Sequence, residues 1–157
     1  MEILGNPSWR WGLSLVVLTM TFHSAAVLIM AFAGTRMKVQ LETRSLHQWN
    51  LIAILICATA STGLVLALLH GIECGIWAAA YLWLSALDSP IDALLFSVDS
   101  MSTRGASGLK LQQHWQMMGA LEAVNGMLLF GVSAAYIFAV MQAYWSMLAA
   151  HMTSSKS

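Results

Sequence analysis

The sequence predicts an all-α integral membrane protein with three spanning helices, and two observations carry that prediction. Of its 157 residues, 59% are hydrophobic and only 9% are charged, whereas a soluble domain carries roughly 25% charged residues. The apolar residues also gather into three long runs, and about 20 apolar residues suffice to cross a bilayer as a helix. We therefore expect the lipid bilayer to be the solvent of this chain.

The first two apolar runs predict the first two spans. Trp11 to Ala33 carries no charge, and Leu51 to Leu87 is interrupted only by His70 and Glu73. The second run is too long for one straight span, so it forms either two segments or one tilted or kinked helix. One helix is favoured because no turn-forming cluster divides the run. The polar stretch from Gly34 to Asn50 predicts a loop.

A shorter helix is expected next. Ser89 and Pro90 predict its start, because serine caps helix N-termini and proline suits the first helical position. Residues 90–101 make about three turns, too short to span, which suits a re-entrant helix that enters the membrane part-way. A Gly/Ser-rich loop over residues 102–110 follows, and residues 115–148 predict the last spanning helix.

Charge placement orients the predicted spans. The stretch between the first two runs holds Arg36, Lys38 and Arg44 against Glu42, so the positive-inside rule places it in the cytoplasm. Three spans then place the N-terminus outside and the polar tail, residues 149–157, inside. We expect a multi-pass protein of the cell's inner (plasma) membrane.

The charge balance and the lack of catalytic motifs narrow the function. Seven basic residues against seven acidic ones leave no basic stripe for nucleic acid. No nucleophile–base arrangement or phosphate-binding loop appears, so an enzyme is not expected. His70 and Glu73 predict a structural polar pair, because two ligands alone are weak evidence of a metal. Haem would need a histidine at the depth of His23, and His70 is expected near the far end of its span, so no cofactor is expected.

The order of span, short helix, Gly-rich strip and span resembles the pore-loop architecture of the potassium-channel superfamily. The run GALEAVNGMLLFGVS, from Gly119 to Ser133, resembles the inner helix of small bacterial two-transmembrane-type ion channels. The segment HGIE, starting at His70 and followed by Trp77 and Tyr81, resembles their outer helix. The resemblance covers roughly Leu51 to Trp145. It implies a homotetramer that conducts inorganic ions passively through a central pore.

The resemblance also assigns parts of that pore. It implies an outer helix 51–87, a pore helix 90–101, a filter-like loop 102–110 and an inner helix 115–148, with residues 1–50 as an additional N-terminal helix and basic loop. The implied filter residues are Ser102, Thr103, Arg104, Gly105, Ala106, Ser107 and Gly108. Support of the filter is expected from Asp99, Glu122 and Asn125. In the inner helix, a gating hinge or close helix packing is expected at Gly126 and Gly131.

The filter-like loop departs from a potassium filter. Where that filter reads T-x-G-Y-G-D, this chain reads TRGASG from Thr103 to Gly108. A potassium filter coordinates the ion with backbone carbonyls, and its glycines allow backbone conformations that a Cβ penalises. Ala106 and Ser107 remove the aromatic packing and the second glycine, so potassium selectivity is not expected. A cation pore of altered selectivity is favoured, and an anion pore or a non-conducting, plugged relative is the alternative.

Arg104 separates these alternatives. Facing the axis, four copies would repel cations and favour anions. Facing away from the axis, Arg104 would pair with Asp99 or Glu122 and act as scaffolding. The pair is favoured because four unpaired guanidinium groups would repel one another.

One stripe of the last helix also has two interpretations. Its members recur at helical spacing, and they are Glu122, Asn125, Leu129, Ser133 and Tyr136. The stripe either supports the loop above and lines the pore below, or forms a helix–helix contact through polar groups.

Overall fold

The computed structural model describes residues 7–43, 48–105 and 108–154. Of these described residues, 88% are helical, which confirms the all-α prediction. In the described ranges the helices are α1 (Pro7–Glu42), α2 (Gln48–Trp83), α3 (Pro90–Met101) and α4 (Gln116–Ser154), with a 3-10 turn (Gln113–Trp115) before α4.

Three of these helices are long and apolar enough to cross a membrane. The candidate spans are Pro7–Leu41, Trp49–Trp83 and Gln113–Ala149, as the hydropathy pattern predicts. The second run forms a single helix, α2, which ends at Trp83 rather than at Leu87. After it, Ser85 adopts a positive φ of 51°, and the Ala86 amide donates to the Tyr81 carbonyl at 2.8 Å, so the chain turns here.

Two predicted boundaries are wrong because the helices continue past the apolar runs. α1 continues from Gly34 to Glu42, where a loop was expected, since one glycine costs only about 1 kcal/mol in a helix and most of the residues after it favour helix. α4 continues to Ser154, where a polar tail was expected, because no glycine or proline stops it. Residues 44–47 and 155–157 lie outside the described part of the chain.

Helix α3 begins where its cap predicts. Ser89 is extended at the N-cap, Pro90 occupies the first turn, and the Asp92 amide donates to Ser89 Oγ at 3.4 Å. The 12 residues of α3 extend about 18 Å at 1.5 Å per residue, well short of the roughly 30 Å hydrocarbon core of a bilayer.

The chain divides into two compact units. The first contains the described residues up to His23 together with Leu68–Gly131, and its apolar core joins α1, α2, α3 and α4 through side chains that include Leu15, Trp77, Tyr81, Ala93, Phe96 and Met118. The Tyr81 and Phe96 rings meet edge to face at 5.3 Å. The second unit contains Ser24–Ala67 and the described residues from Val132 onward, and its surface has an open pocket of about 230 Å³. All the predicted site residues described below belong to the first unit.

Candidate functional site

Glu122 of α4 anchors the short helix α3. Its side chain is fully buried, and both carboxylate oxygens accept hydrogen bonds. Ser97 Oγ of α3 donates to Oε1 at 2.5 Å, and the Tyr81 hydroxyl of α2 donates to Oε2 at 2.7 Å. We call Tyr81, Ser97 and Glu122 the Glu122 cluster. Because one carboxylate bonds to two other helices, it fixes the middle of α3 against α2 and α4.

Asp99 pairs with Arg104 at the C-terminal end of α3. The Arg104 guanidinium donates to Asp99 Oδ1, and the Arg104 backbone amide donates to the Asp99 carbonyl at 3.1 Å. Of the two carboxylates that the sequence offers to Arg104, the structure places Asp99 in this role, while Glu122 bonds to hydroxyl groups. The side chain of Asp99 is 1% exposed and that of Arg104 is 66% exposed, so the pair lies at the surface of a single copy.

The filter-like loop reverses through left-handed residues. Thr103 has φ 58°, Gly105 φ 81° and Gly108 φ 83°. Glycine adopts such angles readily, whereas a β-branched residue does so only under strain. Ser102 Oγ donates to the Asp99 carbonyl at 3.2 Å, which ties the start of the loop to α3. Ala106 and Ser107, also predicted filter residues, lie outside the described residues.

Asn125 holds a different pair of helices. Its Nδ2 donates to Thr19 Oγ1 of α1 at 2.8 Å, so the structure places Asn125 at the contact between α1 and α4 rather than against the loop. Glu122, Asn125 and Leu129 are all fully buried. The upper part of the predicted polar stripe therefore faces protein, as the helix–helix interpretation requires.

The two predicted hinge glycines differ in their surroundings. A Cβ at Gly126 would lie 2.6 Å from Met101 Cα, so this glycine lets α4 contact the last turn of α3. At Gly131, no described atom lies within 4 Å of such a Cβ. Since α4 is unbroken through both positions, Gly126 serves close packing.

A second polar group joins α1 and α2. His23 Nδ1 lies 2.9 Å from Glu73 Oε1, and His70 Nδ1 lies 3.2 Å from Glu73 Oε2. The predicted contact between His70 and Glu73 is thus present, with His23 added to it. His23 and Glu73 are fully buried. We call His23, His70 and Glu73 the His–Glu cluster.

The depth assigned to His70 is wrong. The sequence places His23 and His70 at different depths, but their rings lie 5.2 Å apart. Hydropathy marks where each span lies but not the axial offset between α1 and α2, so no sequence signal joins His23 to Glu73. Both Nδ1 atoms approach the same carboxylate, unlike the two opposed ligands that would hold a haem iron between them.

Hydroxyl partners were also missed by sequence reasoning, since nothing in the pattern distinguishes Ser97 or Thr19 from other small polar residues. Among the described residues, the first unit thus contains three buried carboxylates: Glu122 is bonded to hydroxyls, Glu73 faces imidazoles, and Asp99 is bonded to Arg104. No protein-family model, curated protein or solved structure matches the chain. Its function is therefore inferred from the geometry of these residues.

Proposed function

We propose that the chain is one subunit of a homotetrameric pore-loop ion channel, related to the potassium-channel superfamily, that passes ions passively through a central pore. The observation that carries the proposal is the combination of the length of α3, its anchor and the loop that follows it. This helix is too short to span, is anchored at its middle by Glu122 and ends in a loop with left-handed residues at Thr103, Gly105 and Gly108. A re-entrant pore helix with its filter loop needs these three features.

The loop conformation supports a functional role. Non-helical backbone is tolerated at membrane depth only where it is buried in protein or lines a water-filled cavity. A left-handed threonine costs of order 1–3 kcal/mol and persists where its surroundings impose it, often at functional sites. In the proposed tetramer, the loop from Ser102 to Gly108 surrounds the axis, and carbonyl or hydroxyl oxygens of Ser102 and Thr103 face the permeating ion.

The exposed surfaces of the single chain support association. Only 17–22% of the most apolar window of each candidate span is buried within the chain, which leaves most of it for lipid or neighbouring subunits to cover. On α3, Leu94, Leu95 and Val98 are exposed, and on α4 the exposed apolar side chains include Val124, Met127, Leu128 and Phe130. In the tetramer, this exposed face of α4, rather than the buried polar stripe, contacts neighbours and lines the lower pore.

The ion preference is proposed from the filter and from Arg104. The departure from T-x-G-Y-G-D disfavours potassium selectivity, and the bond to Asp99 reduces the charge that Arg104 presents. We therefore propose a cation pore that discriminates weakly between potassium and sodium. With Arg36 and Lys38 on the cytoplasmic side, the loop opens to the outside.

A second candidate rests on the exposure of Arg104. Its side chain is 66% exposed despite the bond to Asp99, so the guanidinium groups of four subunits would approach one another near the axis. Such a ring would favour anions or close the pore. The alternative is therefore an anion-conducting or non-conducting assembly.

Ion flux into liposomes tests both candidates. Purified chain is reconstituted, and flux is measured in potassium, sodium and chloride gradients for the wild type, Arg104→Leu and the matched control Lys110→Leu. The proposal expects cation flux in the wild type and in Lys110→Leu. Anion flux in the wild type that reverses to cation flux in Arg104→Leu supports the second candidate, as does flux that appears only in Arg104→Leu. No flux in any of the three contradicts conduction.

A further inference from the structure

The His–Glu cluster belongs to α1 and α2, and the proposed channel does not use it, although His70 lines the same pocket as Ser102 at the start of the filter-like loop. Its three side chains each offer a ligand atom, and these atoms all lie within 4.8 Å of one another. The set contains two imidazole nitrogens and one carboxylate oxygen. Two histidines and a glutamate are a recognised set of protein ligands for Zn²⁺, with a water in the fourth position.

We propose that His23, His70 and Glu73 bind one divalent transition-metal ion of the Zn²⁺ class. Zinc bonds to nitrogen and oxygen are about 2.0–2.2 Å long, so the ligand atoms around a tetrahedral ion lie roughly 3.3–3.6 Å apart. The imidazole–carboxylate separations of 2.9 and 3.2 Å in the cluster are close to that spacing. The spacing of His70 and Glu73 by three residues puts both on one face of α2.

The unsatisfied oxygen of Glu73 is an independent observation that points to a ligand. Glu73 is fully buried, yet its Oε2 makes no hydrogen bond within the described part of the chain. The 3.2 Å contact with His70 Nδ1 lacks hydrogen-bond geometry. A buried carboxylate without a full set of partners is costly. A divalent cation at this position would satisfy both the oxygen and the charge.

The site has a route for the ion. The His70 side chain is 28% exposed, and it lines a pocket of about 290 Å³ together with Cys74, Met101, Ser102 and Gly126. The ion and the water that completes its coordination can enter from this pocket. Because His23 belongs to α1 and the other two ligands to α2, the bound ion would crosslink these helices within the first unit.

Metal binding is measured on the full chain without reconstitution, so the result does not depend on conduction. Protein purified without a polyhistidine tag is stripped with a chelator and titrated with Zn²⁺ alone and with Co²⁺ alone. We expect one tightly bound ion per chain and a rise in Tm with metal, because the ion binds the folded state. The visible spectrum of bound Co²⁺ should be that of a four-coordinate site.

Two variants of proposed ligands and one control variant test which residues bind the metal. Glu73→Gln keeps the size of the side chain, and His70→Phe keeps a ring at a half-buried position. The matched control His114→Phe alters an exposed histidine outside the cluster. We expect at least a tenfold loss of Zn²⁺ affinity in the first two variants and none in the control. Wild-type protein that takes up no Zn²⁺ or Co²⁺, or equal affinity in all three variants, would overturn the site. If a variant does not fold, the Co²⁺ spectrum of the wild type still tests the metal site. A six-coordinate spectrum would overturn the proposed site.

Discussion

Glu73 and Glu122 are both fully buried in helices long and apolar enough to cross a membrane, yet their surroundings differ. Glu122 accepts hydrogen bonds on both oxygens, from Ser97 and from Tyr81. Glu73 faces two imidazoles, and one of its oxygens lacks a hydrogen bond within the described residues.

The difference indicates what each carboxylate does. Hydroxyl donors complete the Glu122 cluster, so it needs nothing further and stabilises the packing of α3. Imidazoles are ligands as well as hydrogen-bond partners, and for this reason we propose that a cation completes the His–Glu cluster. The burial of a carboxylate alone therefore does not indicate a binding site. The kind of side chain that contacts the carboxylate, hydroxyl or imidazole, is the better indication.

The largest expected effect comes from removing the Glu122 carboxylate. Glu122→Ala leaves the buried Tyr81 and Ser97 hydroxyls without their acceptor, which should lower the free energy of unfolding by roughly 2–5 kcal/mol. Glu122→Gln keeps an acceptor oxygen and should lose less. Unfolding in mixed detergent measures both. A loss below about 1 kcal/mol for Glu122→Ala would mean that the cluster does not anchor α3, and the contrast with Glu73 would fail.

The contact between α3 and α4 gives the next effect. Gly126→Ala places a Cβ 2.6 Å from Met101 Cα, and overpacking of this kind typically costs 1–3 kcal/mol. Gly131→Ala is the matched control, because open space surrounds that position and alanine favours helix by about 1 kcal/mol. Opposite signs in the two unfolding measurements are expected. Equal stabilisation in both would show that α4 does not press on Met101.

A smaller effect is expected from the hydrogen bond between Thr19 and Asn125, which are neighbours in sequence of the His–Glu cluster and of the Glu122 cluster. Thr19 lies one turn before His23 on α1, Asn125 lies one turn after Glu122 on α4, and the two share a hydrogen bond of 2.8 Å. A double-mutant cycle with Thr19→Val and Asn125→Leu should give a coupling energy of about 0.6 kcal/mol, up to about 1.7. Strict additivity of the two changes would show that the bond contributes nothing.

Arg104 should affect stability less than Glu122 does. Its own side chain is two-thirds exposed, but that of its partner Asp99 is 1% exposed, so the bond contributes more than an exposed ion pair, which is worth about 0.2–1 kcal/mol. Arg104→Leu removes this donor from a buried carboxylate and should lower the free energy of unfolding by roughly 1–2 kcal/mol, and high salt should reduce the difference. A loss of several kcal/mol in the free energy of unfolding would show that Arg104 stabilises the fold as strongly as Glu122 does.

Local signals in the sequence predict local structure well. Ser89 and Pro90 act within the first turn of α3, so the start of this helix is predicted to the residue. The three spans follow from hydropathy because transfer into lipid dominates their energetics. The predicted ends of α1 and α4 are wrong, since hydropathy marks the apolar run rather than the helix, and both helices continue past their runs, to Glu42 and to Ser154.

The contacts within the two clusters could not be predicted from the sequence, for a different reason. The bond between His23 and Glu73 joins residues 50 apart, and it depends on the axial offset and rotation of two helices, which one sequence leaves undefined. The same holds for Glu122: its burial in a span predicts a polar partner, but its choice of Ser97 and Tyr81 over Arg104 depends on the position of α3.

The number of copies in the assembly tests the central claim most directly. Native mass measurement of the chain in lipid nanodiscs, where detergent cannot separate subunits, should find four copies as the main species. A monomer or a dimer as the largest species would contradict a central pore lined by the loop from Ser102 to Gly108.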